Sequence, residues 1–283
     1  MNAPHYGEWL PLRTALISCY RGRPGNLCFQ FLPPGLTAWL VYRGQAEVVH
    51  ANVSTVARAG QWLIPQPIFR VQRFSPDIDF LSLNFFAHWP TGEVAFNPSR
   101  AVVLDSCRHP EMEREALAVE ELLGAILRCH GYGMYRQEMS IQSYLDVQQL
   151  FLKFLKAFAA ALESVGVGAR PPGHLDPRLA LALEFIERQP QNLALTLAQV
   201  ARAAGISPAH LNRLAVQHLG QSVLRYHERR RGEYARRCLS LPGTQVKQVA
   251  IALGFSTPGH FSRWFTRQHG LSPRQFQSQP RLA

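Results

Sequence analysis

Residues 248–263 read Gln-Val-Ala-Ile-Ala-Leu-Gly-Phe-Ser-Thr-Pro-Gly-His-Phe-Ser-Arg, and residues 199–213 read Gln-Val-Ala-Arg-Ala-Ala-Gly-Ile-Ser-Pro-Ala-His-Leu-Asn-Arg. The two stretches are copies of one pattern, 49 residues apart up to the glycine and 50 residues apart after it, because the second copy has one extra residue. The match continues through Gly220 and Gly270. An internal repeat of this kind predicts that the C-terminal part of the chain contains one small unit twice.

Each copy has the residue types of a helix, a tight turn and a second helix. Gly205 and Gly254 fall where a short turn needs a positive φ angle, which glycine adopts without steric cost. Ser207 and Thr257 are N-cap residue types, and each precedes a proline, which the first position of a helix tolerates. The local pattern therefore predicts two helix-turn-helix motifs.

The predicted motifs cover residues 197–218 and 246–269, and the second helix of each has one polar face. Polar side chains recur at i, i+3 and i+7, opposite the apolar positions. They are His210, Arg213 and Gln217 in the first copy and His260, Arg263 and Arg267 in the second. An exposed polar face beside a capped N-terminus is what a helix needs to read the major groove of DNA. A helix-turn-helix that contacts protein is the alternative.

The positive charge of the chain is concentrated in the same region. The net charge of the chain is +11; residues 1–170 hold 15 Lys and Arg against 14 Asp and Glu, whereas residues 171–283 hold 15 against 5. Fourteen of the last 15 cations are arginine, whose planar guanidinium binds phosphates and base edges. This distribution favours a polyanion-binding module over an inert basic surface.

Residues 222–241 join the two copies and have helical propensity apart from Gly232. Twenty helical residues span about 30 Å, close to the ~34 Å between successive turns of the major groove. One chain can therefore place both recognition helices in adjacent grooves. The connector carries six arginines: Arg225, Arg229, Arg230, Arg231, Arg236 and Arg237. We expect some of them to contact phosphates and others to pair with Glu228 and Glu233.

Residues 10–105 contain short runs rich in β-forming residues, separated by glycine and proline. Examples are residues 36–42, 46–50, 62–64, 69–74 and 80–86. Many short strands at this spacing predict an antiparallel barrel or sandwich.

Two helices are predicted next, over residues 111–128 and 138–163. The second has an apolar seam at spacings of four and three with one polar position: Ile141, Leu145, Gln148, Leu152, Leu155, Ala159 and Leu162. It has a second apolar stripe at Phe151, Phe154 and Phe158. In one interpretation, one stripe packs on the strands and the other on the same helix of a second chain, forming a homodimer. In the other, the seam simply packs on the strands.

A segment rich in glycine and proline, residues 165–175, follows this helix and is predicted to be an interdomain linker. The expected architecture is therefore α+β with two domains. Residues 1–164 form a strand-rich domain with a helical segment, and residues 176–283 form an all-α domain with two helix-turn-helix motifs.

Residues 178–276 resemble the DNA-binding domain of the AraC/XylS family of bacterial transcription regulators. The resemblance rests on Val249-Ala-Ile-Ala-Leu-Gly-Phe-Ser256, His260-Phe-Ser-Arg-Trp-Phe265 and Gly270-Leu-Ser-Pro273. The N-terminal half is similar to that of the arabinose-type regulators, which implies a cupin-like effector barrel and a helical dimerisation segment. Two residues depart from the family pattern: Gly232 replaces an aliphatic residue in the connector, and Ala215 replaces a phenylalanine in the first motif.

The resemblance also implies which residues meet DNA. His210, Asn212 and Arg213 are expected in one groove, and Gly259, His260, Ser262 and Arg263 in the next. It implies a regulator of transcription that contacts RNA polymerase if it is an activator. The competing class is an effector-independent DNA-binding protein whose barrel binds a protein partner, and redox sensing through a single cysteine is a third option.

Other classes of site have less support in the sequence. A metal-dependent cupin enzyme needs clustered His and carboxylate ligands, whereas His50 and His88 are isolated. We expect no enzyme activity, no metal and no cofactor. A barrel of this size can hold one small-molecule ligand in its interior. Its candidate lining residues are Trp39, Tyr42, Arg43, Trp62, Arg70 and Trp89.

The sequence also bears on where the protein acts. No apolar run reaches the ~20 residues that span a bilayer, and the first residues lack the features of an export signal. The five cysteines are odd in number and include no Cys-x-x-Cys pair, which fits a reducing compartment. We therefore expect a cytoplasmic protein without a membrane partner.

Overall fold

The computed structural model describes residues 5–31, 33, 35–89, 93–127, 138–169, 175–239 and 243–278. The chain divides into two compact units. One consists mainly of residues 12–88 and 94–169 and is rich in strands, and the other consists mainly of residues 175–278 and is helical. Residues 5–11, 89 and 93 group with the helical unit.

The strand-rich unit contains nine strands in its described part: β1 (Arg13–Gly22), β2 (Cys28–Phe31), β3 (Leu36–Arg43), β4 (Gln45–His50), β5 (Val53–Arg58), β6 (Gln61–Ile64), β7 (Arg70–Phe74), β8 (Asp79–His88) and β9 (Val102–Asp105). They pair antiparallel in two sheets, one in the order β1-β8-β3-β6-β9 and one in the order β2-β7-β4-β5. Aromatic and aliphatic side chains from both sheets form the core, including Trp39 and Phe80 from the first and Phe29 and Phe74 from the second.

The sequence predicts a barrel or a sandwich, and the cupin-like barrel is corrected here: it is not closed, because no ladder joins the two sheets among the described strands. The chain changes sheet at points where the ladder is interrupted. Pro24 and Pro33 lie at the crossings into and out of β2, and a proline has no N–H to donate. Gly60 turns the chain from β5 to β6 with φ +79°. The result is a pair of facing antiparallel sheets.

Two helices cover the five-stranded sheet, α2 (Pro110–Ile126) and α3 (Ile141–Glu163). A four-residue helix, α1 (Tyr6–Trp9), precedes β1. Phe85 of β8 lies 5.0–5.7 Å, between ring centroids, from Phe151, Phe154 and Phe158 of α3. The phenylalanine stripe of α3 therefore packs on the sheet. Within the described residues, no helix is long and apolar enough to cross a membrane.

The helical unit contains α4 (Pro177–Arg188), α5 (Leu197–Ala203), α6 (Pro208–Leu219), α7 (Val223–Leu239), α8 (Val246–Ala252), α9 (Pro258–His269) and α10 (Pro273–Ser278). The connector helix α7 has 17 residues and is about 26 Å long, shorter than the 20 residues expected. Residues 170–174 of the predicted linker lie outside the described residues, as do Arg128 and residues 240–242.

Two separate cores stabilise this unit. Leu179, Leu183 and Ile186 of α4 pack with Leu211 and the other buried residues of α5 and α6. The second core is formed by α7, α8 and α9, and its largest members are Phe261, Trp264 and Phe265. Each helix-turn-helix therefore has its own hydrophobic core.

Candidate nucleic-acid interface

Helices α5 and α6 form the first helix-turn-helix, and side-chain caps fix both of their starts. Thr196 Oγ1 accepts from the Gln199 backbone N–H at 3.3 Å, and Gln199 Oε1 accepts from the Thr196 N–H at 2.9 Å. Gly205 makes the turn with φ +67°. Ser207 Oγ then accepts from the His210 N–H at 3.3 Å. These bonds satisfy N–H groups that a helix start leaves without a partner.

Helices α8 and α9 repeat this construction, with one extra residue between the turn glycine and the N-cap. Gln245 and Gln248 form the reciprocal cap, with Gln248 Oε1 3.3 Å from the Gln245 backbone nitrogen. Gly254 makes the turn with φ +74°, and Thr257 Oγ1 accepts from the His260 N–H at 3.2 Å. The predicted turns and N-caps are thus present in both copies.

The second helix of each motif turns one face to its core and the other to solvent. In α6, Leu211, Leu214 and Ala215 are buried; Arg213 and Gln217 are exposed, and His210 and Asn212 are half-buried. In α9, Phe261, Trp264 and Phe265 are buried; Gly259, His260, Arg263 and Arg267 are exposed, and Ser262 is half-buried. Of the nine residues predicted to meet DNA, six are therefore exposed and three are half-buried, and none is among the buried residues of its helix.

The connector helix joins the two motifs through one arginine. Arg231 donates to the Gln191 carbonyl at 3.1 Å, on the side of the first motif, and to the Leu253 carbonyl at 2.6 Å, in the turn of the second. It also pairs with Glu228 at 2.9 Å, and Glu228 accepts from the Trp264 indole at 2.6 Å. Both motifs are thereby bonded to the middle of α7.

Other connector arginines also have structural partners. Arg230 donates to the Ile186 carbonyl at 2.9 Å, and Arg229 lies 3.8 Å from Glu233. Arg225 is exposed at the start of α7. The expectation that some of these side chains pair with the two glutamates is therefore met, and Arg225 is the described connector arginine best placed for solvent.

A groove of about 590 Å³ lies at the N-terminal ends of α8, α9 and α10. Its lining includes Gly259 and Ser262, together with two exposed cations, Lys247 and Arg274, that the sequence reasoning missed. The alignment of the two copies indicates both cations, because each is charged in the second copy where the first copy has an uncharged residue, Ala198 or Leu224.

The glycine at position 232 is explained by a close approach between α7 and α9. A Cβ atom on this residue would lie 2.9 Å from Nε2 of His269, the last residue of α9. The His269 ring packs on Phe265, with centroids 4.5 Å apart. Burial, and secondarily the positive charge of Arg236, lowers the pKa of His269 to about 4. Glycine in the connector therefore makes room for a neutral imidazole.

The six candidate pocket residues do not share one cavity. Arg70 is buried and lines a cavity of about 300 Å³. Trp39 is core and lies beneath the Arg70 guanidinium, which is 5.7 Å from its ring centroid. Tyr42 is half-buried beside Arg21, and Arg43 is exposed and donates to the Asp77 carbonyl at 2.9 Å.

Neither of the two remaining tryptophans lines that cavity. Trp62 is buried against Phe154 of α3, and Trp89 is buried against Trp9. Their role as ligand contacts stays a prediction. In the described part of the chain, no group of three or more His, Cys, Asp or Glu side chains is arranged to hold a metal ion.

The predicted seam of α3 is exposed over its first half only. Ile141, Leu145 and Leu152 are exposed, as is the neighbouring Tyr144, whereas Leu155 and Leu162 are buried. The surface that this helix presents to solvent therefore includes an apolar stripe of about three turns within residues 141–152.

Two capped helix pairs, each with an exposed polar face and set in a region of net charge +10, define a helix-turn-helix DNA-binding protein. Comparison with known proteins agrees: residues 200–279 match the helix-turn-helix domain family. This match and the relatives that follow support an AraC-type transcription regulator.

Individual relatives cover the chain to different extents. It is 36% identical over 108 residues to the HTH-type transcriptional regulator GlxA of Rhizobium meliloti, a match that spans 38% of this chain and 33% of the relative. It is 26% identical over 250 residues to the arabinose operon regulatory protein of Salmonella typhimurium, spanning 84% and 82%. A solved structure of apo ToxT from Vibrio cholerae has the same fold, with a TM-score of 0.52 and 13% identity over 96% of this chain and 98% of that one.

Proposed function

We propose that this regulator reads two successive major-groove segments of DNA with α6 and α9, acts as a homodimer, and responds to a small molecule bound in its strand-rich unit. The observation that carries the proposal is the pair of exposed faces at Arg213 and Arg263, held on two cores that α7 ties together. We propose the cytoplasm as its place of action.

Each recognition helix has side chains suited to base edges. Arg213 and Arg263 occupy equivalent positions, and an arginine binds the O6 and N7 atoms of guanine with two hydrogen bonds. Asn212 and Gln217 carry amides, which suit adenine. Gly259 has no side chain, and the nearest atom to a Cβ built there is 3.9 Å away. The start of α9 can therefore approach DNA closely, with His260, Ser262 and Arg267 beside it.

Lys247 and Arg274 are proposed to bind phosphates on the flanks of α9. Both are exposed, and they line the same groove as Gly259 and Ser262. Gln277 donates to the Thr244 carbonyl at 2.6 Å, which ties α10 to the loop before α8 and fixes the two sides of the groove. Phosphate contacts of this kind position a protein on DNA without reading its sequence.

A footprint on DNA selected from a random pool tests this reading. We expect two protected segments one helical turn apart, about 10 base pairs from centre to centre. Arg213→Ala should weaken protection and base preference in one segment and Arg263→Ala in the other. The matched control is Arg188→Ala on α4, whose exposed side chain pairs with Glu184. A single protected segment, unaffected by either variant, would refute two-groove reading.

The homodimer is proposed to form through the exposed stripe of α3. An exposed apolar stripe beside one half-buried polar residue, Gln148, suits a helix–helix contact in which the polar residue fixes the register. We expect Leu145→Glu with Leu152→Glu to convert a dimer to a monomer in sedimentation equilibrium. Lys153→Glu, on another exposed face of α3, should leave the dimer intact. A monomeric wild type would exclude this part of the proposal.

Control by a small molecule is proposed to act on the relative disposition of the two units, which changes the DNA half-sites that a dimer can span. A ligand screen by thermal shift tests it, because a true effector raises the melting temperature with concentration. The alternative, an effector-independent protein whose strand-rich unit binds another protein, predicts no such ligand. Contact with RNA polymerase is proposed only for the case of an activator.

A further inference from the structure

The two hydrophobic cores of the helical unit share no residue, so hydrophobic packing alone does not fix one motif relative to the other. Helix α7 contributes to both cores from opposite ends: Val223 and Tyr226 belong to the first core, and Ala235 and Leu239 to the second. Its middle contains Gly232, and glycine is the poorest helix former after proline. The distance and angle between α6 and α9 therefore depend on the contacts made by the middle of α7.

The guanidinium of Arg231 makes those contacts, because its three nitrogens donate in three directions. Nε donates to the Gln191 carbonyl at 3.1 Å, in the loop between α4 and α5, and Nη2 donates to the Leu253 carbonyl at 2.6 Å, at the end of α8. Nη1 donates to Glu228 Oε1 at 2.9 Å, on α7 itself. One planar group thus joins the side of the first motif, the connector helix and the second motif.

Aromatic rings and a second hydrogen bond hold the guanidinium in its plane. Its central carbon lies 5.2 Å from the ring centroid of Phe255 and 5.5 Å from that of Trp264, within the range of cation–π attraction. The Trp264 indole in turn donates to Glu228 Oε2 at 2.6 Å. The Arg231 side chain is only 12% exposed. Because a charge in such a place is costly to leave without its partners, the guanidinium has one favoured orientation.

The loop between α4 and α5 also touches the turn of the second motif directly. A Cβ atom on Gly254 would lie 2.6 Å from the Asn192 carbonyl oxygen, closer than real Cβ contacts. His227 Nε2 lies 3.3 Å from the Leu193 carbonyl oxygen, which ties the same loop to α7. In the first motif, a Cβ on Gly205 would meet no atom of the described residues within 4 Å beyond its chain neighbours. The close packing on the loop is thus a property of the second turn.

We propose that Arg231 is a positioning residue: it fixes residues 191–193 and the turn of the second motif against α7 and so holds α6 and α9 at one separation, which restricts the chain to DNA segments at one spacing. The inference rests on the proposed function, because it concerns how the two recognition helices are set on DNA. One base pair added between the segments shifts one of them by about 3.4 Å and rotates it by about 35°. Helices held at one separation follow that change only by deforming the DNA.

Titration of the full chain with its selected DNA tests the proposal. One or two base pairs would be inserted or removed between the two protected segments, and a further DNA would keep only the segment read by α9. We expect the wild type to lose roughly tenfold or more in affinity at each altered spacing, because one motif then loses its base contacts. Arg231→Met should bind every spacing within about threefold of the original one, since its motifs adjust separately. It should bind the single-segment DNA like the wild type, and a wild type that binds all spacings equally would overturn the proposal.

Two matched variants separate geometry from charge. Arg231→Lys keeps the positive charge, but an ammonium group lacks the planar fork that serves three acceptors, so this variant should behave like Arg231→Met. Arg225→Met removes one charge from the exposed start of the same helix and should change affinity equally at all spacings. Retention of the wild-type spacing selectivity by Arg231→Lys or Arg231→Met would overturn the proposal.

A distance measurement on the full chain without DNA keeps the test independent of DNA reading. Spin labels on unnatural residues at the exposed positions 217 and 267 report the separation of α6 and α9 by double electron–electron resonance. We expect one narrow distance distribution in the wild type and a broad one in Arg231→Met. Equally narrow distributions would overturn the proposal. If the footprint shows a single segment while the distribution broadens as expected, two-groove reading is refuted and the positioning of the two helices by Arg231 is supported.

A second pair of variants serves if Arg231→Met fails to fold. Gly205→Ala and Gly254→Ala both place a Cβ at a positive φ, +67° and +74°, and therefore share the same backbone strain. Only Gly254→Ala also presses on Asn192. We expect Gly254→Ala to broaden the distance distribution and relax the spacing selectivity, and Gly205→Ala to keep both as in the wild type. Equal behaviour of the two variants would count against the proposal.

Discussion

The two helix-turn-helix motifs have the same turn and different interiors. Their glycines, N-caps and prolines coincide, but the buried positions of α6 and α9 hold Leu211, Leu214 and Ala215 in one and Phe261, Trp264 and Phe265 in the other. Helix α4 fills the space that the smaller residues leave in the first motif. In the second, the aromatic side chains fill it themselves. The caps and the turn therefore specify the motif, whereas the residues of its core depend on the elements that pack against it.

The outer faces of the two motifs differ as well. The second motif carries Arg267, Lys247 and Arg274 where the first has Gln217, Ala198 and Leu224. Each charged residue adds attraction to phosphate. We therefore expect the second motif to contribute more of the salt-dependent binding, and the first to contribute mainly through Arg213.

The largest effect on stability is expected when Phe265 of the second motif is replaced by alanine, the residue at the equivalent position 215 of the first motif. Phe265→Ala removes a buried ring that packs on Phe261 and on Phe276 of α10, so it should destabilise this motif by about 3–5 kcal/mol. Hydrogen exchange of peptides from residues 246–278 measures the loss. The reciprocal Ala215→Phe should lower stability by about 1–3 kcal/mol, because α4 already occupies the space. A stabilising Ala215→Phe would contradict the comparison.

The next largest effects are expected from the charged residues that distinguish the exposed faces of the two motifs. Lys247→Ala and Arg274→Leu should each lower the salt dependence of DNA binding, log Kd against log salt, by about 1. Ala198→Lys and Leu224→Arg should each raise it by a similar amount if the first motif docks in the same way. Fluorescence anisotropy at several salt concentrations measures both sets. Equal slopes in all four variants would show that the groove at α9 lies away from the phosphates.

An acid-dependent difference is expected from His269, whose counterpart in the first motif is Leu219. Burial lowers the pKa of His269 to about 4 in the folded chain, below its ordinary 6.5, so below pH 6.5 the unfolded chain binds the extra proton more readily. The stabilisation is complete above pH 6.5 and is lost as the pH falls toward 4. His269→Leu should flatten this loss in the exchange of residues 246–278.

Part of the acid sensitivity should remain in that variant. The pKa of His227 on α7 is also lowered, first by burial, and it contributes a slope of the same sign. A His269→Leu variant whose stability falls between pH 6.5 and 4 as steeply as that of the wild type would exclude a role for His269.

The smallest effect is expected at Gly232. Alanine improves helix propensity by about 1 kcal/mol, but its Cβ would lie 2.9 Å from His269 Nε2. We expect Gly232→Ala to leave stability unchanged or slightly lower in the wild type and to raise it by roughly 0.5–1 kcal/mol in a His269→Ala background. A double-mutant cycle measures the coupling. Simple additivity would show that the imidazole does not restrict this position.

Features fixed by neighbouring residues could be predicted from the sequence. The starts of α6 and α9 depend on neighbouring residues, because a cap and a glycine turn are local. Strand β5 was not anticipated, since Val53-Ser-Thr-Val-Ala-Arg58 is mostly exposed and has little apolar signal. The covering of the first core by α4 is a tertiary event that residues 197–218 do not encode.

The sites depended on residues far apart in the chain. Lys247 and Arg274 meet at one groove across 27 positions, and Arg70 and Arg100 meet at one cavity across 30. Arg70 is among the six predicted pocket residues, which combine aromatic side chains with arginine. Arg100, after a proline and a serine in a loop, is not among them.

The central claim is that α6 and α9 read DNA sequence, and a binding selection on genomic fragments tests it most directly. The purified full chain, Arg263→Ala and the control Arg188→Ala would be compared at several salt concentrations. The account predicts that the wild type and the control enrich the same few sites, while Arg263→Ala loses that preference and keeps salt-sensitive binding. Identical enrichment by all three proteins, or no preference by any, would contradict it.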